Sequence, residues 1–295
     1  MQTNSYPAKL LLFGEYTIIQ RAKALAVPLP NYAGQWISVA NSTEKADQEG
    51  LIKLLNYLQN DYADKYNTAA FANALEAGEN FHSTIPQGYG AGSSGAVTAA
   101  VYDRFAFRKT ELKTASDLNV LQQELANIES CFHGASSGAD PLVCYLKKGV
   151  LFNGDTPKLI SAKQSTLEGF FLIDTGVSRK TAPFVDLYKK WCEEEMYPLR
   201  LEVELIPLVE DAIDAFLKKD KSSLLETIHQ IGHFQFKYFA EMLPANFRKP
   251  WLDALSSEHT KLKLCGAGGG GFILGYSVNM TKTKQLLKKY KLVIL

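Results

Sequence analysis

The sequence predicts an α+β fold, because strand-like and helix-like patterns intermix without strict βαβ alternation. Strand-like patterns occupy 8–13, 169–176, 261–265 and 272–278, and the one at 261–265 alternates between polar and apolar residues. Between them, apolar residues recur at helical spacing, most clearly over 121–132. A chain of 295 residues is long enough for two domains of ordinary size. We therefore predict an N-terminal domain over 1–165 and a C-terminal domain over 166–295, divided before the strand that contains FFLID.

In the N-terminal half we predict a strand at 8–13 that turns at Gly14, followed by helical patterning over 50–80. A helix from near Ser93 and a helix over 121–132 come next. The half ends with two strand-like segments, VCYL at 143–146 and GVLFN at 149–153. The helix from Ser93 is predicted to be amphipathic, because Val97, Val101 and Phe105 recur every four residues. In the C-terminal half we predict a strand at 169–176, helices at 184–195, 202–218 and 222–242, strands at 261–265 and 272–278, and a last helix over 281–290.

Composition and charge exclude several classes of function. A formal net charge of +1 leaves no electrostatic footprint of a nucleic-acid-binding protein. The sequence has neither an 18-residue apolar run nor a signal-peptide pattern, so we expect no membrane partner and a cytoplasmic protein. Its four scattered cysteines are typical of reduced thiols. The residues carry no signature of a subunit interface, and a homodimer is left open.

The stretch PQGYGAGSSGA at 86–96 has three interpretations from its residues alone. Glycines let the backbone approach an anion closely, and the free N–H groups of a helix that begins at the serine pair favour phosphate. A surface loop with a serine N-cap is the plain alternative. The letters of a dinucleotide-binding GxGxxG are also present, but the preceding ENFHSTIPQ is a poor strand and disfavours that interpretation.

Four further features could belong to a site. The glycine run GAGGGG at 266–271 lies between two predicted strands, where close approach of the backbone to a ligand explains it better than flexibility does. Asp140 follows a glycine-containing turn, Lys9 opens an apolar strand, and Glu15 follows Gly14. Each of these is, by itself, equally typical of an ordinary turn or edge residue. Only their joint occurrence indicates a functional site.

Three segments, in order, resemble the motifs of the GHMP kinases. PAKLLLFGEYTII at 7–19 is similar to the first motif, PQGYGAGSSGA at 86–96 to the phosphate loop, and KLCGAGGGGFIL at 263–274 to the third motif. Within that family, ESCFHGASSGADPL at 129–142 and DTGVSRKT at 174–181 resemble segments of the mevalonate kinases. The resemblance covers nearly the whole chain.

The resemblance implies the two-domain GHMP kinase fold, with a ribosomal protein S5 domain 2-like N-terminal domain, a ferredoxin-like C-terminal domain and an active-site cleft between them. It implies transfer of the γ-phosphoryl group of ATP to the hydroxyl of a small-molecule alcohol, most closely mevalonate, with Mg²⁺ as cofactor. The residues that would bind ATP are Gly88, Tyr89, Gly90, Ala91, Gly92, Ser93 and Ser94.

The same resemblance implies roles for the remaining site residues. Asp140 would accept the proton of the substrate hydroxyl or orient that hydroxyl, and Lys9 would stabilise charge on the transferring group. Ser94 and Glu129 would coordinate Mg²⁺, which favours oxygen ligands. The substrate-binding residues would be Glu15, Tyr16, Thr181, Gly268 and Gly269.

The chain departs from the family pattern at Tyr16, Tyr89, Ala91, Gly95, Ser136 and Pro141. Tyr16 stands for the histidine of the first motif, and Tyr89 for a small residue of the phosphate loop, so we expect Tyr89 to point away from the phosphates. No departure removes a catalytic group, but the acceptor is open to phosphomevalonate or another alcohol. Alternatives of another class are a diphosphomevalonate decarboxylase-like lyase, an NAD-dependent oxidoreductase and a non-catalytic ligand-binding module.

Overall fold

The structure, a computed structural model, describes residues 4–38, 48–154 and 156–295. The chain divides into two compact units that each draw on separate stretches of sequence. Unit 1 comprises Met1–Lys9, Pro28–Pro86 and Ala91–Lys148, and unit 2 comprises Leu10–Val27, Gln87–Gly90 and Gly149–Leu295. The division into domains at residue 165 stays a prediction.

The strands are β1 (Ser5–Phe13), β2 (Ala24–Ser38), β3 (Glu79–Ser83), β4 (Val150–Asn153), β5 (Thr156–Leu159), β6 (Phe170–Asp174), β7 (Thr260–Leu264), β8 (Phe272–Ser277) and β9 (Lys291–Ile294). The α-helices are α1 (Glu49–Asp61), α2 (Thr68–Glu76), α3 (Ser93–Phe105), α4 (Ala115–His133), α5 (Ala139–Leu146), α6 (Ala182–Trp191), α7 (Met196–Arg200), α8 (Ile206–Lys218), α9 (Lys221–Tyr238), α10 (Arg248–Leu255) and α11 (Met280–Leu286). A π-helical turn at Leu201–Leu205 joins α7 to α8. Among the described residues, no helix combines the length and apolarity that crossing a bilayer requires.

In unit 1, helix α3 forms the centre of the packing. The C-terminal part of β2 pairs with β3 in antiparallel register, from Gly34 opposite Ser83 to Ser38 opposite Glu79. Helices α4 and α5 pack against each other and against α3. Helix α3 begins at Ser93, as predicted, but it is buried on most of its faces rather than on one, because both neighbouring helices cover it.

Unit 2 contains a four-stranded antiparallel sheet in the order β7-β8-β6-β9. Helices α6 to α10 lie between β6 and β7 in the sequence, and α11 lies between β8 and β9. This βαββαβ order is the ferredoxin-like arrangement, so the predicted C-terminal fold and the predicted α+β class are confirmed. Helices α9 and α10 pack on β7, and α8 packs on α9. In the same unit, the N-terminal residues of β2 pair with β4, which pairs with β5.

Some local predictions were wrong. VCYL at 143–146 ends helix α5 instead of forming a strand, because a four-residue apolar run has no period that separates the two structures. The helical patterning predicted over 50–80 is confirmed as two helices, α1 and α2, whereas the stretch interpreted as a poor strand contains β3. Strand β9 follows the last helix, where no strand was predicted.

Candidate active site

The predicted catalytic pair, Lys9 and Asp140, meets in unit 1. Lys9 Nζ lies 2.7 Å from Asp140 Oδ1, and the two side chains are 8% and 35% exposed, respectively. Asp140 is the second residue of α5, where the free N–H groups and the dipole of the helix favour a negative charge. The pair therefore presents a carboxylate that a ligand can reach, backed by an almost fully buried ammonium group.

Two glycines let α3, α4 and α5 approach one another at this pair. Gly138, at a φ of 69°, precedes α5, and a Cβ atom there would overlap the carbonyl oxygen of Gln122 on α4. A Cβ atom on Gly95 would lie 2.9 Å from the backbone nitrogen of Pro141. Gly95 and Pro141, which both depart from the family pattern, are thus in contact, and the absence of a side chain at 95 lets α3 meet α5 beside Asp140.

Glu129 is a buried carboxylate among the predicted site residues of unit 1. Ser94 Oγ donates to its Oε1 at 2.9 Å, and Ser136 Oγ donates to its Oε2 at 2.5 Å. Burial, together with the charge of Asp140, raises the pKa of Glu129 to about 7, although both hydroxyls oppose this rise. His133 Nε2 lies 3.0 Å from Ser94 Oγ. The sequence indicated Ser94 and Glu129, but it marked Ser136 only as a departure, and His133 was part of the matched segment ESCFHGASSGADPL without a predicted role.

The raised pKa of Glu129 predicts a pH-dependent stability of the ligand-free protein. The folded state binds the Glu129 proton more tightly than the unfolded state, so the stabilisation is present below the ordinary pKa of 4.5 and is lost as the pH rises to about 7. Between those pH values, the wild type should lose about 2–3 kcal/mol of unfolding free energy relative to Glu129→Gln. Urea denaturation of both proteins across this range measures the difference, and parallel pH profiles would contradict the assignment.

The oxygen atoms around Glu129 suit a hard cation. Ser94 Oγ and the Glu129 carboxylate supply two oxygen donors on adjacent helices. Within 4–38, 48–154 and 156–295, no three His, Cys, Asp or Glu side chains are grouped so that they could hold a metal by themselves. Because Mg²⁺ is usually held by one or two carboxylates together with water and phosphate oxygens, this pair of donors fits a magnesium ion that is bound with a nucleotide.

The backbone of the phosphate loop is shaped for an anion. Gly88, Gly90 and Gly92 have φ values of 75°, 69° and 76°, and none of the intervening residues has a positive φ. Residues that alternate between left- and right-handed backbone conformations can turn successive N–H groups towards one side and so form a concave anion-binding surface. Helix α3 begins at Ser93 without a side-chain cap. The free N–H groups at this helix end, in unit 1, are therefore suited to phosphate oxygens.

Two side chains of the first motif, Glu15 and Tyr16, are buried in unit 2. Glu15 Oε1 lies 2.5 Å from Lys263 Nζ, and both side chains are almost inaccessible, at 2% and 0% exposure. Tyr16 donates its hydroxyl to the carbonyl oxygen of Ala267 at 2.7 Å and stacks on Tyr188 with ring centroids 4.6 Å apart. These contacts connect the first motif to the glycine-rich third motif. Contact of Glu15 and Tyr16 with a substrate stays a prediction.

The predicted substrate residues of the third motif also contact protein groups in unit 2. Gly269 N donates to the carbonyl oxygen of Met242 at 2.6 Å, and a Cβ atom at this glycine would overlap the ring of Phe184. A Cβ atom on Gly268 would overlap the same Met242 carbonyl oxygen. The glycine run predicted that its backbone lies close to another group, and the structure shows this closeness to Met242 and Phe184 of the protein. Contact of these glycines with a substrate stays a prediction.

Arg179 lies beside Thr181 in unit 2, and the sequence predicted no role for it. Its Nη1 donates to Thr181 Oγ1 at 2.6 Å, whereas its Nε is buried without a hydrogen-bond partner. Nη2 lies 2.8 Å from the positions that Cβ atoms would occupy on Gly90 and Gly266. No carboxylate of the described residues forms a salt bridge with Arg179, and burial lowers its pKa. The guanidinium group thus lies between two glycine-rich segments without a protein counter-anion.

The chain is similar to known proteins in sequence and in fold. Residues 51–148 match the model of the GHMP kinases N terminal domain. A curated mevalonate kinase from Pyrococcus abyssi is 25% identical to this chain over an alignment of 331 positions. The alignment covers 98% of this chain and 91% of the relative.

Solved structures share the fold over almost the full length. The crystal structure of the Methanococcus jannaschii mevalonate kinase has a TM-score of 0.65 at 16% identity and covers 99% of this chain and 96% of its own. The Streptococcus pneumoniae phosphomevalonate kinase, solved with phosphomevalonate and AMPPNP, has a TM-score of 0.65 at 13% identity. The match covers 98% of this chain and 96% of the S. pneumoniae chain. Over residues 51–148 this chain is therefore similar to the GHMP kinases, and over almost its full length it is similar in sequence to a mevalonate kinase and shares the fold of the solved kinases.

Proposed function

We propose that the chain transfers the γ-phosphoryl group of ATP to the primary hydroxyl of mevalonate. The observation that carries this proposal is the Lys9–Asp140 pair, in which a reachable carboxylate is held 2.7 Å from a buried ammonium group. The similarity to a curated mevalonate kinase over 98% of the chain supports mevalonate as the acceptor.

In this proposal, Asp140 acts on the acceptor hydroxyl. Its carboxylate accepts the hydroxyl proton while the acceptor oxygen bonds to the γ-phosphorus and the bond from that phosphorus to the ADP oxygen breaks. Lys9 places a fixed positive charge beside Asp140 and the equatorial phosphoryl oxygens. Because phosphoryl transfer depends mainly on positioning and on charge stabilisation, these two groups supply a large part of the catalysis.

The phosphate loop and α3 serve the nucleotide. Backbone N–H groups at the start of α3 would bind phosphate oxygens, and Ser94 with Glu129 would hold the Mg²⁺ that accompanies them. When bound, the ion neutralises phosphate charge and orients the γ-phosphoryl group. Glu129 serves this role in its ionised form, which coordination of a cation favours over the protonated form.

Arg179 and Thr181, both in unit 2, are suited to an anionic ligand. A buried guanidinium group without a protein counter-anion is stabilised when an anionic ligand pairs with it, and a carboxylate can accept two parallel hydrogen bonds from it. This feature favours an anionic ligand over a neutral one. Thr181, whose hydroxyl accepts from Arg179, can donate its own proton to the same ligand.

Replacing Ser94 with alanine should raise the Mg²⁺ concentration at half-maximal rate about tenfold or more, because one oxygen donor is removed and Glu129 loses a hydrogen bond. The rate at saturating Mg²⁺ should fall less. Titration of initial rates with Mg²⁺ at saturating ATP provides the test. Ser130→Ala is the matched control, since that hydroxyl bonds only within its own helix, to Ala126 O. An unchanged Mg²⁺ dependence in Ser94→Ala would remove Ser94 from the ligand set.

An ADP-release assay over a panel of acceptors tests the proposed function. The panel contains mevalonate, phosphomevalonate, homoserine and galactose, each with ATP and Mg²⁺. We expect mevalonate to have the highest kcat/KM. A preference for phosphomevalonate would instead assign the next phosphorylation step, and CO₂ release from diphosphomevalonate would assign the lyase. NADH fluorescence enhancement without ATP turnover would support the oxidoreductase, while absence of turnover on every acceptor would leave only a binding function.

A further inference from the structure

Tyr89 lies in the phosphate loop, but its side chain contacts the sheet of unit 2. Its hydroxyl donates to Asp174 Oδ1 at 2.9 Å, at the end of β6. Its ring packs edge-on against Phe272, at the start of β8, with ring centroids 4.9 Å apart. Tyr89 stands where the family pattern has a small residue, so these contacts belong to this chain rather than to the motif.

Asp174 is well suited to hold this hydroxyl. Its Oδ1 also accepts the N–H of Gly176 at 2.9 Å, and its Oδ2 lies 3.3 Å from Lys291 Nζ. The Asp174 side chain is 19% exposed, whereas that of Lys291 is 75% exposed. Burial opposes ionisation, but the hydrogen bonds from Gly176, Tyr89 and Lys291 outweigh it and hold the pKa of Asp174 below its ordinary value. The bond from Tyr89 is therefore charge-assisted and partly shielded from water, which makes it stronger than a neutral pair.

The backbone around Tyr89 is held by unit 2 as well. Arg179 N donates to the carbonyl oxygen of Gly88 at 3.0 Å. A Cβ atom on Gly271, which has a φ of 69°, would lie 2.9 Å from both Cα and the carbonyl oxygen of Tyr89. The glycine at 271 thus permits direct contact between the third motif and the phosphate loop. The segment Gln87–Gly90 is consequently packed on β6 and β8 through its side chain and its backbone together.

We propose that Tyr89 and Asp174 form a latch that fixes the first half of the phosphate loop in its anion-binding shape. Both are positioning residues, since they act on the nucleotide through the loop backbone. This inference rests on the proposed function for its effect on ATP, but the latch itself is a property of the ligand-free protein. A loop that is already ordered loses less conformational entropy when it binds phosphates, so the latch increases nucleotide affinity.

Variants at both partners test the latch. Tyr89→Phe keeps the ring contact with Phe272 and removes only the hydroxyl, while Asp174→Ala removes the acceptor. Each should raise the KM for ATP about 3- to 10-fold with a smaller change in kcat, and the double variant should be no worse than either single one. Asp174→Asn keeps an Oδ1 acceptor and should restore the KM to within about twofold of the wild type. Lys291→Ala, which alters only the exposed contact of Asp174, is the matched control and should leave the KM unchanged.

Hydrogen exchange of the ligand-free protein provides a readout that needs no nucleotide. Amides over 87–92 should exchange about 3- to 10-fold faster in Tyr89→Phe and Asp174→Ala, but not in Asp174→Asn or Lys291→Ala. Unchanged exchange in Tyr89→Phe, or additive effects of the two single variants on the KM, would overturn the latch while leaving the proposed function intact. A wild-type protein that does not bind ATP would overturn the proposed function and the proposed effect of the latch on ATP affinity. The exchange rates of the ligand-free protein would then decide whether the latch exists.

Discussion

Replacing Asp140 with asparagine is expected to lower turnover by about 100-fold or more while leaving the fold and ATP binding largely intact. Asparagine has the same shape and still offers an oxygen to Lys9 Nζ, which lies 2.7 Å from the native carboxylate. It cannot accept the hydroxyl proton, so the loss should appear in kcat rather than in the KM for ATP. Single-turnover kinetics with saturating ATP and mevalonate measure this loss.

The control for Asp140→Asn is an aspartate in unit 1 that lies outside the site. Asp64→Asn changes the same functional group at an exposed position and should keep the wild-type rate. Thermal unfolding of Asp140→Asn should confirm that the protein is folded. Turnover of Asp140→Asn within a few-fold of the wild type would remove Asp140 from its catalytic role, whatever the acceptor is.

The largest effect on stability is expected at the buried Glu15–Lys263 pair. Replacing Lys263 with methionine keeps most of its volume but leaves Glu15 as an unpaired buried carboxylate, which should cost about 3–5 kcal/mol. Lys263 Nζ also donates to the carbonyl oxygen of Leu264, which would lose that partner. The double variant Glu15→Gln with Lys263→Met removes both charges and should recover a large part of the loss. Urea denaturation at pH 7 measures all three proteins.

The pH dependence of the Lys263→Met variant separates a charge effect from a packing effect. Burial already raises the pKa of Glu15 in the wild type, with Lys263 as the main opposing influence, so removing the lysine raises it further. A carboxyl group with a raised folded pKa contributes stability that is lost as the pH rises, so the deficit should shrink towards acid pH. Lys218→Met is the control, since its pair with Asp214 is exposed and should be worth less than about 1 kcal/mol. A pH-independent deficit would mean that lost packing, not an unpaired charge, causes the destabilisation.

The sequence predicted those features that have a local signal. Helix α3 begins at Ser93, where the glycine-rich loop ends, and β7 and β8 flank the glycine run, as the alternation of KLKLC and the strand-like FILGYSV predicted. Strand β2 was not predicted because its two prolines, Pro28 and Pro30, argue against a strand interior. These prolines lie between the residues that pair with β4 and those that pair with β3.

The site could be predicted from the sequence only as far as its motifs reach. Lys9, Ser94, Glu129 and Asp140 were recognisable because each lies in a patterned segment, and in unit 1 the structure brings Lys9 to Asp140 and Ser94 to Glu129. The contacts of Glu15 with Lys263 and of Tyr89 with Asp174 join residues 248 and 85 positions apart. No local pattern encodes such pairs, and the unpaired Nε of Arg179 likewise became visible only once its surroundings were known.

Identification of the reaction product tests whether the protein transfers a phosphoryl group from ATP to the primary hydroxyl of mevalonate. The wild-type protein is incubated with mevalonate, ATP and Mg²⁺, and the product is examined by ³¹P NMR with proton coupling. We expect stoichiometric ADP and a phosphomonoester whose phosphorus couples to the two protons of the primary carbon, and the rate at which both products form should fall about 100-fold or more in Asp140→Asn. ADP formation without a phosphomonoester of mevalonate, or a product that forms equally well in Asp140→Asn, would contradict it.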